Sequence, residues 1–248
     1  MQDVKRYVSQ RFIEKFPEEK FENAWIEYLN LPDFDINENV EKVGGISEEA
    51  HYIMRLAAQY YLEKTFEAMK INLNDPNVKG ETGTPYRIIK MWTGNGLDDS
   101  TELLSGRWSK KPRIATFPNT HLKPIPITKR VDINAVCSHH MAPFSTFFRP
   151  DAYAIISYIP KDKVLGISKL QRIVDWVARR GWLQEDLTKT IYDEVSEAAE
   201  TESVYVKLYN LVHTCERLRG TQSSDGTFTS EYYGGDFNDN EIRAQVKE

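Results

Sequence analysis

VYVKLYNLVHTC, residues 204–215, alternates β-branched and aromatic side chains over a stretch that predicts one long strand. Successive side chains of a strand point to opposite faces, so Tyr205, Tyr209, His213 and Cys215 are expected to share one of them. A second period-two run sets Ile127, Val131, Ile133, Ala135 and Cys137 against Thr128, Arg130, Asp132 and Asn134. It predicts a strand over 127–137 that also ends on a cysteine. AYAIISYIP, residues 152–160, predicts a third.

Around these strands the apolar residues repeat at helical spacing. Leu170, Ile173, Val174 and Val177 follow Ser168, a capping residue type, and the pattern stops near Gly181. Leu187, Ile191, Val195 and Ala198 form a second stripe, with Asp186, Lys189, Asp193 and Glu197 turned outward. Ser47 precedes Ile53, Leu56, Ala57 and Tyr60, a long helix expected to end near Lys70, and Pro85 is placed to start a short one, YRIIKMW. Residues 94–126, with HLKPIP, read as irregular connection. Residues 1–45 read as a partly helical N-terminal extension, 46–235 as the functional domain, and 236–248 as a polar, mobile C-terminal tail.

The 248 residues are 40% apolar and 28% charged, an ordinary globular composition. A net charge of -5 argues against broad binding to nucleic acid or anionic membranes, both of which need a basic surface. No apolar run is long enough to span a bilayer, and MQDVKRYVSQRF lacks the apolar region of a signal peptide, so the expected location is the cytoplasm. Two cysteines are too few for a disulfide framework, and in a reducing compartment they stay thiols.

Both cysteines and three of the five histidines fall in two short clusters, Cys137-Ser138-His139-His140 and His213-Thr214-Cys215. Two thiolates and an imidazole suit zinc, and three protein ligands leave a coordination position for water. Five donors compete for at most four positions, so a histidine is left over as acid or base, beside a zinc-bound water of pKa about 7. The residues by themselves leave open a closed Cys2His2 site, or two core cysteines with unrelated histidines. Lys169 and Arg172 follow Ser168 at a helix N-terminus, which favours anions. Arg219 lies four residues past Cys215, and Arg87 falls on the first turn of the helix at Pro85. Beside a metal cluster these cations suggest phosphate recognition.

CSHH at 137–140, IPKDKVLGISKLQRIV at 159–174, LQEDLT at 183–188 and HTCERLRG at 213–220, with TPYRIIKMW upstream, resemble GTP cyclohydrolase I across residues 46–235. The resemblance implies an α+β T-fold: an antiparallel sheet with helices packed on one side, assembling into a ring-shaped homo-oligomer, a decamer with sites at subunit interfaces. It implies that Cys137, His140 and Cys215 hold Zn2+ while His139 and His213 transfer protons. Glu185 and Gln184 would read the guanine. Ser168, Lys169, Arg172 and Arg219 would contact the triphosphate and ribose, with Arg87 supplied by a neighbouring subunit. The implied reaction turns GTP and water into 7,8-dihydroneopterin triphosphate and formate, the first step toward tetrahydrofolate-type pterins or 7-deazaguanine.

Ser138 stands where that family usually has Glu, and Thr146 stands near the usual Gly of a Pro-Phe-x-Gly turn. FSTFFRPDAYAIIS is also longer than usual by several residues, yet every implied ligand and proton-transfer residue is present. Two other readings compete. A noncatalytic zinc-holding T-fold module would have no need of two leftover histidines. The nitrile reductase of 7-deazaguanine synthesis uses a cysteine nucleophile and NADPH without zinc, and here both cysteines fall at ligand positions.

Overall fold

Residues 1–80, 82–99, 101–120, 125–220 and 222–246 are described by a computed structural model, in which the chain divides into two units, Met1–Lys110 and Lys111–Glu248. The HLKP stretch of the expected connection, 121–124, lies outside the described residues.

The first unit is helical: α1 (Gln2–Phe12), α2 (Phe21–Asn30), α3 (Glu48–Ala68) and α4 (Thr84–Thr93). Val4, Val8 and Phe12 of α1 and Phe21, Ala24 and Trp25 of α2 bury against Ala50, Ile53, Leu56 and Ala57 of α3. The apolar stripe of α3 therefore shares its core with residues 1–45, and the line between units falls after Lys110 rather than at 45/46. Ser47 caps α3, its hydroxyl accepting from the Ala50 N–H at 3.1 Å. Pro85 sits in the first turn of α4, where its missing N–H costs nothing.

The second unit runs β1 (Thr116–Pro118), β2 (Ile127–Val131), β3 (Asn134–Cys137), β4 (Pro143–Ser145), β5 (Tyr153–Tyr158), β6 (Lys163–Leu165), α5 (Lys169–Ala178), β7 (Gly181–Trp182), α6 (Gln184–Ala199), β8 (Val204–His213), α7 (Thr214–Arg217), β9 (Phe228–Tyr233) and α8 (Asn240–Ala244). The main sheet has the order β2-β5-β8-β4-β3-β7, with β9 on β8; β3 and β7 are parallel and the other pairs antiparallel. Strand β1, inside the stretch expected to be irregular, pairs with β6 in a separate ribbon.

Helices α5 and α6 cover one face of the sheet. Leu170, Ile173, Val174 and Val177 of the first, and Leu187, Ile191 and Val195 of the second, bury with Ala154, Ile156, Val204, Val206 and Leu208. By alternation Ile155 and Tyr205 point to the other face, where they meet Phe237 and Val246. The C-terminal segment is thus folded rather than loose, because its apolar residues close that face. Full burial of Phe237 favours this docking by about 2 kcal/mol.

Two strands differ from their sequence patterns. The run 127–137 is broken at Asp132–Ile133, where side chains take over the backbone groups. The Gln171 amide accepts from the Asp132 N–H at 2.9 Å and donates to its carbonyl at 3.0 Å, while the Thr146 hydroxyl accepts from the Ile133 N–H at 3.1 Å. The chain therefore changes neighbours, from β5 to β4 and β7. In β8, Asn210 adopts a left-handed φ of 54° and the pairing with β9 slips between Leu208 and Leu211. Leu211 joins Val204, Val206 and Leu208 in the core, so the parity reverses. Tyr205 and Tyr209 pack with Tyr153 and do not share the face of His213, and Cys215 lies in the first turn of α7 instead of extending the strand. No helix among the described residues is long and apolar enough to cross a membrane.

Thr146 is 7% exposed, and it is the acceptor for a fully buried N–H. Thr146→Val keeps the shape and removes that acceptor, so it is expected to destabilise the second unit by about 1–3 kcal/mol in urea unfolding. An unchanged midpoint would discard this role.

Candidate functional site

Three register pairs assemble the site: Phe144 opposite His213, Val136 opposite Pro143, and Cys137 opposite Trp182. Between β3 and β4 the chain reverses tightly, with the Cys137 N–H donating to the Ala142 carbonyl at 2.8 Å and the Met141 N–H to the Cys137 carbonyl at 3.0 Å. Met141 takes a left-handed φ of 52° to make this turn. The reversal brings His140 back to Cys137, Nδ1 standing 3.9 Å from Sγ. Across the sheet, the Thr214 hydroxyl donates to the Pro143 carbonyl at 2.7 Å and anchors the start of α7, which carries Cys215.

The ligand atoms of Cys137, His140 and Cys215 lie within 4.8 Å of one another. Around a tetrahedral ion such donors stand roughly 3.5–3.8 Å apart, so the group needs to contract by about 1 Å to hold one. Two sulfurs and a nitrogen match a borderline-soft metal and are a poor match for oxygen-preferring cations. Burial raises the Cys215 thiol pKa, and the Cys137 thiol beside it adds to the rise. A bound cation reverses that preference by stabilising both thiolates.

His213, two residues before Cys215, lies outside this group. Its ring stacks on Phe144, centroids 4.4 Å apart at 7°, with the ring of Phe228 set edgewise at 5.8 Å. Its Nε2 lies 2.9 Å from Gln184 Oε1. Burial lowers its pKa, opposed by the charges of Glu185 and Glu216. His213 is therefore chiefly neutral at pH 7, the form that accepts a proton. His139 is exposed, its ring 6.1 Å from that of His140.

Parallel pairing of β7 with β3 carries the start of α6 to the same place. Gln184 is 2% exposed, its amide committed to His213, Phe228 and Ser230, whereas Glu185 is exposed on the first turn. The Arg219 guanidinium donates to His140 Nε2. Ser168, Lys169 and Arg172 occupy the start of α5, a ten-residue helix about 15 Å long whose other end leads into β7. Ser168 makes no capping bond with its hydroxyl, and neither cation forms an ion pair among the described residues. Arg87 belongs to the first unit, exposed on α4, its Nε donating to the Thr82 carbonyl at 3.0 Å. Within the chain, then, contacts connect Cys137, His140, Cys215 and Arg219 in one group and His213 with Gln184 in another, the two meeting in sequence at His213-Thr214-Cys215, and Ser168, Lys169 and Arg172 are not joined to either by any hydrogen bond among the described residues.

Sequence reasoning missed Phe144, Thr188 and Ser230. Thr188 was open to discovery, since it lies one helical turn from Gln184; Ser230 was not, because its contact with Gln184 spans 46 positions and depends on how β9 pairs with β8.

A family model described as GTP cyclohydrolase I matches residues 62–248. The GTP cyclohydrolase 1 of Bacillus cytotoxicus is 32% identical over 76% of this chain and 96% of its own. That of Blochmanniella pennsylvanica is 31% identical over 77% and 79%, and that of Flavobacterium johnsoniae 28% over 74% and 76%. Among solved structures, the archaeosine synthase QueF-Like in the apo form aligns with a TM-score of 0.35 and 20% identity over 46% of this chain and 97% of its own.

Cobalt(II) added to the protein is expected to produce a thiolate charge-transfer absorption band. Cys215→Ser should weaken the band and the affinity together; a mutant with the unaltered spectrum would remove Cys215 from the ligand group.

Proposed function

The chain belongs to the GTP cyclohydrolase I family, and we propose that Cys137, His140, Cys215, His213, His139 and Glu185 carry its reaction, the opening of the GTP imidazole ring to yield 7,8-dihydroneopterin triphosphate and formate. One observation supports this residue assignment above the others: a two-sulfur, one-nitrogen donor group converges two residues from a histidine that stacks on Phe144 and lies outside the group.

The donor group fits Zn2+, which when bound supplies a Lewis acid able to generate a nucleophile from water near neutral pH. The protein's own residues do the rest. His213 and His139 move protons as the two C8–N bonds break and formate leaves. The Glu185 carboxylate accepts from the N1–H and the exocyclic amine of guanine. If His140 ligates through Nδ1, its proton resides on Nε2, so Arg219, a donor only, has to leave that nitrogen and becomes available to phosphate.

Ser168, Lys169 and Arg172 offer cations and N–H groups for the triphosphate. Their place at the far end of α5 suits a site completed between copies, with Arg87 entering from a neighbour in a ring-shaped T-fold decamer. Exposed apolar side chains next to these residues, Ile167 at 87% and Leu218 at 77%, are consistent with such an interface. The enzyme is expected to work in the cytoplasm without nucleic acid or membrane partners. A cysteine-nucleophile reaction of the nitrile reductase type is disfavoured, since both thiols belong to the donor group.

Zinc-loaded protein incubated with GTP is expected to release formate and, after oxidation, a fluorescent neopterin, with both lost on chelation. Bound zinc without formate would refute the assignment. Glu185→Ala should retain zinc while kcat/KM for GTP falls about 100-fold, the worth of a charged hydrogen-bond pair; unchanged turnover would mean that the base is read elsewhere.

A further inference from the structure

The amide of Gln184 has only one orientation compatible with its neighbours. The Phe228 carbonyl, 3.3 Å away, can only accept, so the atom facing it is the NH2 group, which also donates to Ser230 Oγ at 2.9 Å. Oε1 is then left to accept, and the partner it finds at 2.9 Å is His213 Nε2, which has to carry the ring proton. The hydroxyls behind the amide agree with this direction. Thr188 uses its single hydrogen on the Gln184 carbonyl at 2.7 Å, so the 2.7 Å contact between the two hydroxyls is a donation from Ser230 to Thr188. Ser230 keeps its lone pairs for Gln184, and every donor in the circuit is used once. Nδ1 of His213 makes no hydrogen bond among the described residues.

We propose that Gln184, Thr188 and Ser230 are positioning residues that hold His213 as its Nε2–H tautomer, making Nδ1 the nitrogen that takes the proton and later returns it. The stacked Phe144 ring sets the plane of the imidazole, and the polar circuit sets which nitrogen is bare. The side chain of Gln184 is thereby assigned to His213 and not to the purine. This rests on His213 being a proton-transfer residue, as proposed above.

The test is nitrogen NMR of zinc-loaded, full-length protein labelled with 15N-histidine, the His213 signals assigned by their loss in His213→Asn. The expected spectrum has a protonated Nε2 and an unprotonated Nδ1. Ser230→Ala should give a mixture of tautomers and lower kcat about tenfold, with KM for GTP within about twofold and zinc content unchanged. Ser230→Thr, which keeps the hydroxyl, should restore both; Thr188→Val should shift both in the same direction as Ser230→Ala. An Nδ1–H tautomer in the wild type, or a Ser230→Ala protein with the wild-type tautomer whatever its kcat, would overturn the proposal. A wild type that released no formate would instead refute the function, while its tautomer would still report on the circuit.

Discussion

The pairing of β8 with β4, which sets Phe144 against His213, is the constraint from which the site follows. A strand slipped by one residue turns its side chains to the opposite face, so this register decides whether His213 meets the ring of Phe144 or solvent. Once it is set, the turn after Cys137 returns the chain to β3, and the parallel step from Cys137 to Trp182 starts α6 two residues later. Segments about 75 residues apart in sequence converge through a few main-chain ladders. The bond from Thr214 to the Pro143 carbonyl ties the cysteine of α7 to the same ladders.

That frame separates two electrostatic environments over a short distance. The donor group opens outward, with His140 exposed, so an ion and its fourth ligand have access. His213 is held against aromatic rings, where desolvation opposes its cationic form. One histidine thus stands exposed beside two thiols and the other is enclosed by rings, a division that the bulge at Asn210 makes possible. By reversing the parity of β8, the bulge lets one strand serve the tyrosine cluster on one face and present His213 beside Phe144 on the other.

Much of this was legible in the sequence. The stripes of α3, α5 and α6 fall at their observed positions because an amphipathic period is a local property of the chain. A meeting of the two cysteine-histidine clusters could be anticipated from donor chemistry, whereas the particular set of Cys137, His140 and Cys215 was implied by the family resemblance. The strand over 127–137 was misread because its break depends on Gln171 and Thr146, side chains distant in sequence that satisfy Asp132 and Ile133. Strand β7, only two residues long, carries no periodic signal at all. The folding of the C-terminal segment likewise depends on an apolar face that residues 153–158 and 204–208 create elsewhere.

Composition, spacing and residue type by themselves determined the stripes of α3, α5 and α6, the two cysteine-histidine clusters and the supply of cations, because each of these is a property of neighbouring residues or of side-chain chemistry. Tertiary structure alone decided that Gln184 turns inward to His213 while Glu185 faces out, and that Tyr205 and His213 lie on different faces. Those outcomes depend on strand register, a bulge and hydrogen bonds between residues 29 to 46 positions apart, and such long-range contacts leave no periodic trace in the chain.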